Sequence, residues 1–317
     1  MPPTLIMLGT GDFALPTFER LCEAGHRVAA LVTQPDRPQG RKQELIPSRI
    51  KQAALARGVR VEQPEDVNAP EALETIRAIG ADLLVTAAYG QILSAELLAI
   101  PRLGGLNLHG SILPAFRGAA PVARAIERGE RETGVTVIRM SPRVDAGGMI
   151  AFARTPIGPD ETAGELEARL AELGAPLVVE VIAQVAAGTA AVLPQDRSKV
   201  TKAPKLRKED GRIDWSRPAQ AVHDLVRAMQ PWPTASTSWH PADVDRAPMR
   251  LIVHKTALAD GEGPAGTVLE AEGDRLIIAA GRGAVRLLTV QIAGKKAMGV
   301  AEFLRGHHVF PGDRMGD

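Results

Sequence analysis

The stretch Asn107-Leu108-His109-Gly110-Ser111-Ile112-Leu113-Pro114, continued by Phe116-Arg117-Gly118, decides how this chain is read. The apolar run Leu103 to Leu108 leads into it and predicts a strand that stops at Gly110. Side chains on a strand repeat every second residue, so Asn107 and His109 share one face at its C-terminal tip. In open α/β sheets ligands bind outside that end of the strands. A Ser, a Pro and two Gly follow, enough to build a fixed loop beside the pair. The plain alternative is a strand with a capping Asn and a His that is satisfied internally. The following loop, together with Asp145 further on, favours a site.

Working outward, the chain alternates short apolar runs with helical patterns. Leu5–Leu8, Val28–Val32, Val59–Val61, Leu83–Thr86 and Leu106–His109 read as strands, with helices through Phe13 to Cys22 and Ile50 to Ala56. That alternation predicts βαβ units and a parallel sheet. Thr133–Met140 and Met149–Ala153 read as a strand pair joined by the polar turn Asp145-Ala-Gly-Gly148, and Thr162–Ala187 as a long helix. After Leu193 the texture changes. Asp196 to Arg212 holds seven cations against three anions, net +4, together with Pro204, and reads as an exposed basic linker. Beyond it come short β-rich runs at Ser236–Trp239, Met249–His254, Gly266–Leu269, Arg275–Ala279 and Ala284–Val290. Their close spacing predicts a small barrel or sandwich. The expected boundaries are 1–193, 194–212 and 213–317, and the His307-His308 pair reads as a surface feature.

Length and composition set limits on function. The 317 residues exceed one average domain, and 45% hydrophobic with 24% charged residues is ordinary for a globular protein. A net charge of +1 confines any nucleic-acid footprint to local patches. Cys22 is the single cysteine, so an intrachain disulfide and a multi-cysteine zinc site are excluded. The start lacks the basic region and apolar run of a signal peptide, and no apolar stretch is read as long enough for a membrane span. The expectation is a soluble cytoplasmic protein.

Gly9-x-Gly11-x-x-Ala14 matches the dinucleotide fingerprint in letter. The second strand should then end in an acidic residue for the ribose, and here it ends in Thr33-Gln34. A nicotinamide-dependent oxidoreductase is therefore disfavoured. The chemistry centres on Asn107, His109 and Asp145. An amide N–H can donate to an oxygen gaining charge, an imidazole can move a proton near neutral pH, and a carboxylate can orient that imidazole. No nucleophile accompanies them: Ser111 lacks a Gly-x-Ser-x-Gly elbow, and Cys22 sits on an apolar helical stripe. Oxyanion stabilisation without a nucleophile suits direct attack of an amine on an acyl or formyl carbonyl.

Asn107-x-His109-x-Ser111-x-Leu113-Pro114 with Asp145 resembles the signature of the folate-dependent formyltransferases. Further similar segments span nearly the whole chain: Gly9–Ala14, Thr33-Gln34-Pro35-Asp36-Arg37-Pro38-x-Gly40-Arg41, Ala88-Tyr89-Gly90, Arg117–Pro121, Thr133–Thr136, Arg212–Ser216 and Pro231-Trp-Pro233. The resemblance implies a Rossmann-like α/β formyltransferase domain, a basic linker and a small OB-like β-barrel. It implies catalysis by Asn107, His109 and Asp145, with 10-formyltetrahydrofolate as donor, lined by Ser111, Ile112, Leu113 and Pro114, and with no metal. The basic Pro-rich loop and the Ile-Asp-Trp linker end resemble the branch whose acceptor is the amino group of initiator methionyl-tRNA. On that basis Arg41 and Lys42, in a loop of net +3 from Asp36 to Lys51, and Lys205 and Lys208 in the linker are expected to meet tRNA. No membrane or obligate protein partner is implied. The rivals are a formyltransferase for a small amine, such as an amino sugar or glycinamide ribonucleotide, and a non-catalytic RNA-binding protein.

Overall fold

A computed structural model describes residues 2–39, 44–242 and 247–316. Two compact units emerge. One comprises Met1–Pro121, Glu132–Pro156 and Leu166–Pro204; the other comprises Val122–Arg131, Ile157–Glu165 and Lys205–Asp317. The units interleave along the chain.

The first unit is Rossmann-like. It runs β1 (Leu5–Gly9), α1 (Leu15–Glu23), β2 (Val28–Val32), the two-residue strands β3 (Pro38–Gln39) and β4 (Glu44–Leu45), α2 (Arg49–Ala56) and β5 (Arg60–Glu62). It continues through α3 (Pro70–Ile79), β6 (Leu83–Ala87), α4 (Ala95–Ala99) and β7 (Gly105–His109). β8 (Glu132–Arg139), β9 (Met149–Pro156) and most of α6 (Ala163–Ala187) complete it, while α5 (Pro121–Glu127), between β7 and β8 along the chain, belongs to the second unit from Val122 on. The sheet order is β5-β2-β1-β6-β7-β8-β9. The strands from β5 to β7 are parallel, and β8 and β9 turn antiparallel. β1 and β6 are buried at every position, as strands covered on both faces must be. The strand-led reading passes over α3, although Pro70 at its start and Gly80 at its left-handed end (φ +67°) delimit it.

Strand order reverses between β1 and β6, the usual ligand crevice of such sheets. The Thr10 hydroxyl and the Gln34 amide both donate to the Tyr89 carbonyl, at 3.2 and 3.1 Å. A Cβ on Gly9 would stand 2.5 Å from that of Ala14, so the glycine serves close packing of strand on helix. These contacts give the Gly9-Thr10-Gly11 turn a structural role in joining β1 to the helix that follows.

The sequence reading finds no run fit for a membrane span, and α6 corrects it: by length and composition this helix qualifies. Between 173 and 187 its one charged residue is Glu180. Its buried face, including Leu170, Val178, Val181, Ile182 and Val185, identifies it as a core helix. A Cβ at Gly174 would lie 2.6 Å from the side chain of Leu108, so glycine lets α6 ride directly on β7.

The second unit carries α7 (Ala219–Ala228), β10 (Ala235–His240), β11 (Met249–Ala259), β12 (Val268–Glu272), β13 (Arg275–Ala279) and β14 (Ala284–Ile292). β15 (Met298–Gly299), α8 (Val300–Gly306) and β16 (Arg314–Met315) complete it. The antiparallel order is β12-β13-β14-β11-β10-β16. A Thr267–Arg314 bridge and the Val268 N–H to Asp313 carbonyl bond (2.9 Å) bring the two edges together into a near-closed barrel. β10 alternates buried Ala235, Thr237 and Trp239 with half-buried neighbours, the period expected of a wall with one inner face. His307 is not the surface feature the sequence reading expects: its ring is half-buried and stacks on Phe303 with centroids 4.8 Å apart.

The same unit contains a buried ion pair. Arg227 meets Asp224 at 2.8 Å, with side chains 8% and 4% exposed, and also donates to the Gly158 and Glu161 carbonyls. Removing one partner strands the other charge in a low-dielectric site. Arg227→Met should therefore destabilise the protein by roughly 3–5 kcal/mol in a denaturant titration. A loss under about 1 kcal/mol would show that Asp224 finds other compensation.

Candidate active site

β7 presents Asn107 and His109 as the alternation requires. Asn107 pairs across the sheet with Thr86 and Ile138, and His109 with Thr136. His109 is buried, and Asn107 is half-buried. Asp145 arrives from the turn between β8 and β9 with φ +48°, a left-handed backbone that a non-glycine residue seldom adopts. Its Oδ1 accepts from Asn107 Nδ2 at 3.4 Å. Its Oδ2 accepts from the Gly118 N–H at 2.9 Å and stands 3.6 Å from His109 Nδ1. The structure thus brings together the three residues singled out from the sequence.

The imidazole is oriented differently from the expectation. His109 Nε2 lies 2.9 Å from the Phe116 carbonyl. A carbonyl oxygen only accepts, so Nε2 carries a proton and the Phe116 peptide, rather than Asp145, sets the tautomer. Nδ1 is left facing the carboxylate.

The loop after β7 is held from within. Ser111 is fully buried, and its hydroxyl donates to the Ala115 carbonyl at 2.7 Å. Thr136 Oγ1 donates to the Ser111 carbonyl at 2.7 Å and accepts from the Leu113 N–H at 3.1 Å. Ser111 and Leu113 are therefore buried supports, while Ile112 and Pro114 are half-buried.

The Asp196–Arg212 stretch is exposed in its charges but anchored in its backbone, which the sequence does not announce. Phe116 N–H donates to Thr201 Oγ1 (2.8 Å), Arg117 N–H to the Thr201 carbonyl (2.9 Å), and Ala203 N–H back to the Arg117 carbonyl (2.7 Å). A Cβ on Gly118 would meet the Ala203 carbonyl at 2.5 Å, so these strands of chain approach as closely as glycine permits. Gln195 donates to the carbonyls of Asp145 and Gly147 and accepts from Arg117. Gln195, Thr201, Thr136 and the Phe116 carbonyl are parts of the site that sequence reasoning misses.

Of the residues expected at tRNA, Lys205 and Lys208 are exposed and belong to the second unit. Arg41 and Lys42 lie outside the described residues. Among the described residues of the Asp36–Lys51 loop each cation has a partner: Lys51 with Asp36 at 2.5 Å, Arg37 with Glu65 at 2.8 Å and Arg49 with Asp12 at 3.8 Å. The Lys51 ammonium holds the Asp36 carboxyl below its ordinary range. Burial pushes the Cys22 thiol up, away from the thiolate a nucleophile needs.

Comparison with known proteins adds a separate line. A family model described as formyl transferase matches residues 4–182, and one described as formyl transferase, C-terminal domain, matches residues 205–308. A protein of Moorella thermoacetica named methionyl-tRNA formyltransferase is 43% identical over 314 residues, covering 98% of this chain and 99% of its own. One of the same name from Solibacter usitatus is 44% identical over 313 residues, covering 99% and 98%. Among solved structures, HypX from Aquifex aeolicus in complex with tetrahydrofolic acid shares the fold. Its TM-score is 0.64 at 18% identity, over 96% of this chain and 47% of that longer one.

Proposed function

The chain belongs to the formyl transferase family, and we propose that it moves a formyl group from 10-formyltetrahydrofolate to the free amino group of methionyl-initiator-tRNA, giving N-formylmethionyl-tRNA for translation initiation. The observation that carries this reading is the meeting of Asn107, His109 and Asp145 at the C-terminal end of β7. The donor set fits a formamide: an amide N–H, an imidazole and a carboxylate, with no nucleophile beside them. Bound 10-formyltetrahydrofolate supplies the activated formyl group, and the loop Ser111 to Pro114 would line its site.

The chain's own groups then have defined work. Asn107 Nδ2 donates to the formyl oxygen as it gains negative charge, on the strand face it shares with His109. Asp145, facing His109 Nδ1, takes up the proton released by the attacking amine. An α-amino group titrates near ~8, so a useful neutral fraction exists at pH 7. Attack is direct: the amine–formyl bond forms as the formyl carbon's bond to N10 of the donor breaks, the proton taken up by Asp145 passes to that leaving nitrogen, and no covalent enzyme intermediate is needed. The reading places the protein in the cytoplasm, where charged tRNA is found.

A charged tRNA is favoured over a small amine because relatives at 43–44% identity across the full length carry that name. The exposed basic stretch around Lys205 and Lys208 supports it. Lys-to-phosphate contacts release counterions, so each one lost flattens the salt dependence of binding by about one in log–log slope. The double variant Lys205→Glu with Lys208→Glu should fold normally, bind tRNA more weakly and lower the slope by about two. Arg41→Ala should weaken use of charged tRNA. Unchanged affinity and slope, with an amino sugar or glycinamide ribonucleotide formylated in place of tRNA, would support the small-acceptor rival.

A further inference from the structure

Resting on that reading, we propose that Gln195 is a positioning residue for Asp145. Its side-chain amide pins the turn that aims the carboxylate at Asn107 and His109, and ties that turn to Arg117. The hydrogen bonds are specific. Gln195 Nε2 donates to the carbonyls of Asp145 and Gly147 at 2.8 and 2.7 Å. Its Oε1 accepts from Arg117 Nε and Nη2 at 2.9 and 2.6 Å. A primary amide has two N–H donors and one carbonyl, and each is engaged.

The turn has reason to need such a clamp. Asp145 holds a left-handed backbone at φ +48°. A Cβ at Gly147 would fall 1.7 Å from the Arg139 carbonyl, so the turn cannot relax towards β8. The clamp also closes a ring. Asp145 Oδ2 accepts from the Gly118 N–H at 2.9 Å, Gly118 follows Arg117, and Arg117 returns to Gln195. Backbone and side chain of Asp145 are thus held at opposite ends by one loop of bonds. Phe116, whose carbonyl orients His109, is the next residue along that loop. A shift of about 1 Å in a catalytic group can reduce turnover by ~10²-fold.

Two substitutions separate positioning from bulk support. Gln195→Met keeps the length and removes every polar atom. Gln195→Glu keeps the volume and the Arg117 partner but sets a carboxylate against two carbonyl oxygens. Steady-state kinetics of the full chain, with 10-formyltetrahydrofolate and charged initiator tRNA, should show kcat reduced by about 10- to 10²-fold in both. KM for either substrate should stay within about twofold, and the thermal midpoint should hardly move. If Gln195 acts through Asp145, adding Gln195→Met to Asp145→Asn should cost less than about twofold further. Should the Met variant fail to fold, the Glu variant makes the same comparison. Turnover within twofold of the parent in the folded variants, or a loss that multiplies in full on Asp145→Asn, would overturn the proposal. Absence of formyl transfer by the parent protein would overturn the functional reading itself, whereas an active parent with active Gln195 variants overturns the clamp alone.

Discussion

Asn107→Ala should lower kcat for formyl transfer by about 10²–10³-fold, the range for removing one preorganised donor from a developing oxyanion, and His109→Ala should lower it comparably by removing the ring held between the Phe116 carbonyl and Asp145. Both side chains sit on rigid strand backbone, paired with β6 and β8, so they are aimed before substrate arrives. Such donors contribute to the transition state more than to the bound ground state, because full charge on the formyl oxygen appears only during attack. Affinity for the folate donor, measured by fluorescence or calorimetry, should therefore change little. His109 is 5% exposed, and its truncation leaves a cavity. His109→Gln, which retains bulk and one N–H, separates lost chemistry from lost packing. Near-parental turnover in Asn107→Ala or His109→Gln would remove these residues from the reaction.

Asp145→Asn should reduce kcat by about 10²-fold or more, for two physical reasons. The carboxylate accepts from Asn107 Nδ2 through one oxygen and from the Gly118 N–H through the other. An amide has one acceptor oxygen, so one of those N–H groups must face a donor. If Gly118 keeps its partner, Asn107 is driven to turn its own amide over, withdrawing the N–H meant for the substrate. The second reason is charge: Oδ2 stands 3.6 Å from His109 Nδ1, and Asn leaves that nitrogen without its carboxylate neighbour. Combining Asp145→Asn with His109→Ala should cost less than the product of the single losses, since partners in one network are not additive. Losses that multiply in full would place Asp145 outside the His109 network, as an organiser of its turn only.

Much of the site was legible because it is written locally. The two-residue spacing of Asn107 and His109 needs only a strand, and the break at Gly110 marks its tip. The β8–β9 turn carrying Asp145 follows from two apolar runs around a Gly-rich centre. What escaped the sequence is written over long separations and in backbone atoms. Thr201 Oγ1 accepts from the Phe116 N–H across 85 residues, and Gln195 Nε2 donates to the Asp145 carbonyl across 50, so each bond ends on a backbone group that carries no side-chain signature. Charge composition marked the 196–212 stretch as a linker and said nothing about its backbone, which is bonded to the loop bearing His109's partner. The membrane-length character of α6 was missed because Ala and Gly dilute its aliphatic residues; once helical, those small residues let it pack on β7. His307 stacks on Phe303 through an i,i+4 relation that begins on α8 and that the His307-His308 pair does not signal in the sequence.

The central claim is direct transfer to the methionyl amine at the Asn107–His109–Asp145 site. Its most direct test is a single-turnover experiment with 10-formyltetrahydrofolate carrying labelled formyl, in the presence and absence of charged initiator tRNA. Label should be recovered as formyl-methionine after deacylation of the tRNA, with none attached to the protein when tRNA is omitted, and the product should be lost with Asn107→Ala. Label bound covalently to the protein without acceptor, or formylation confined to a small amine while charged tRNA stays unmodified, would contradict it.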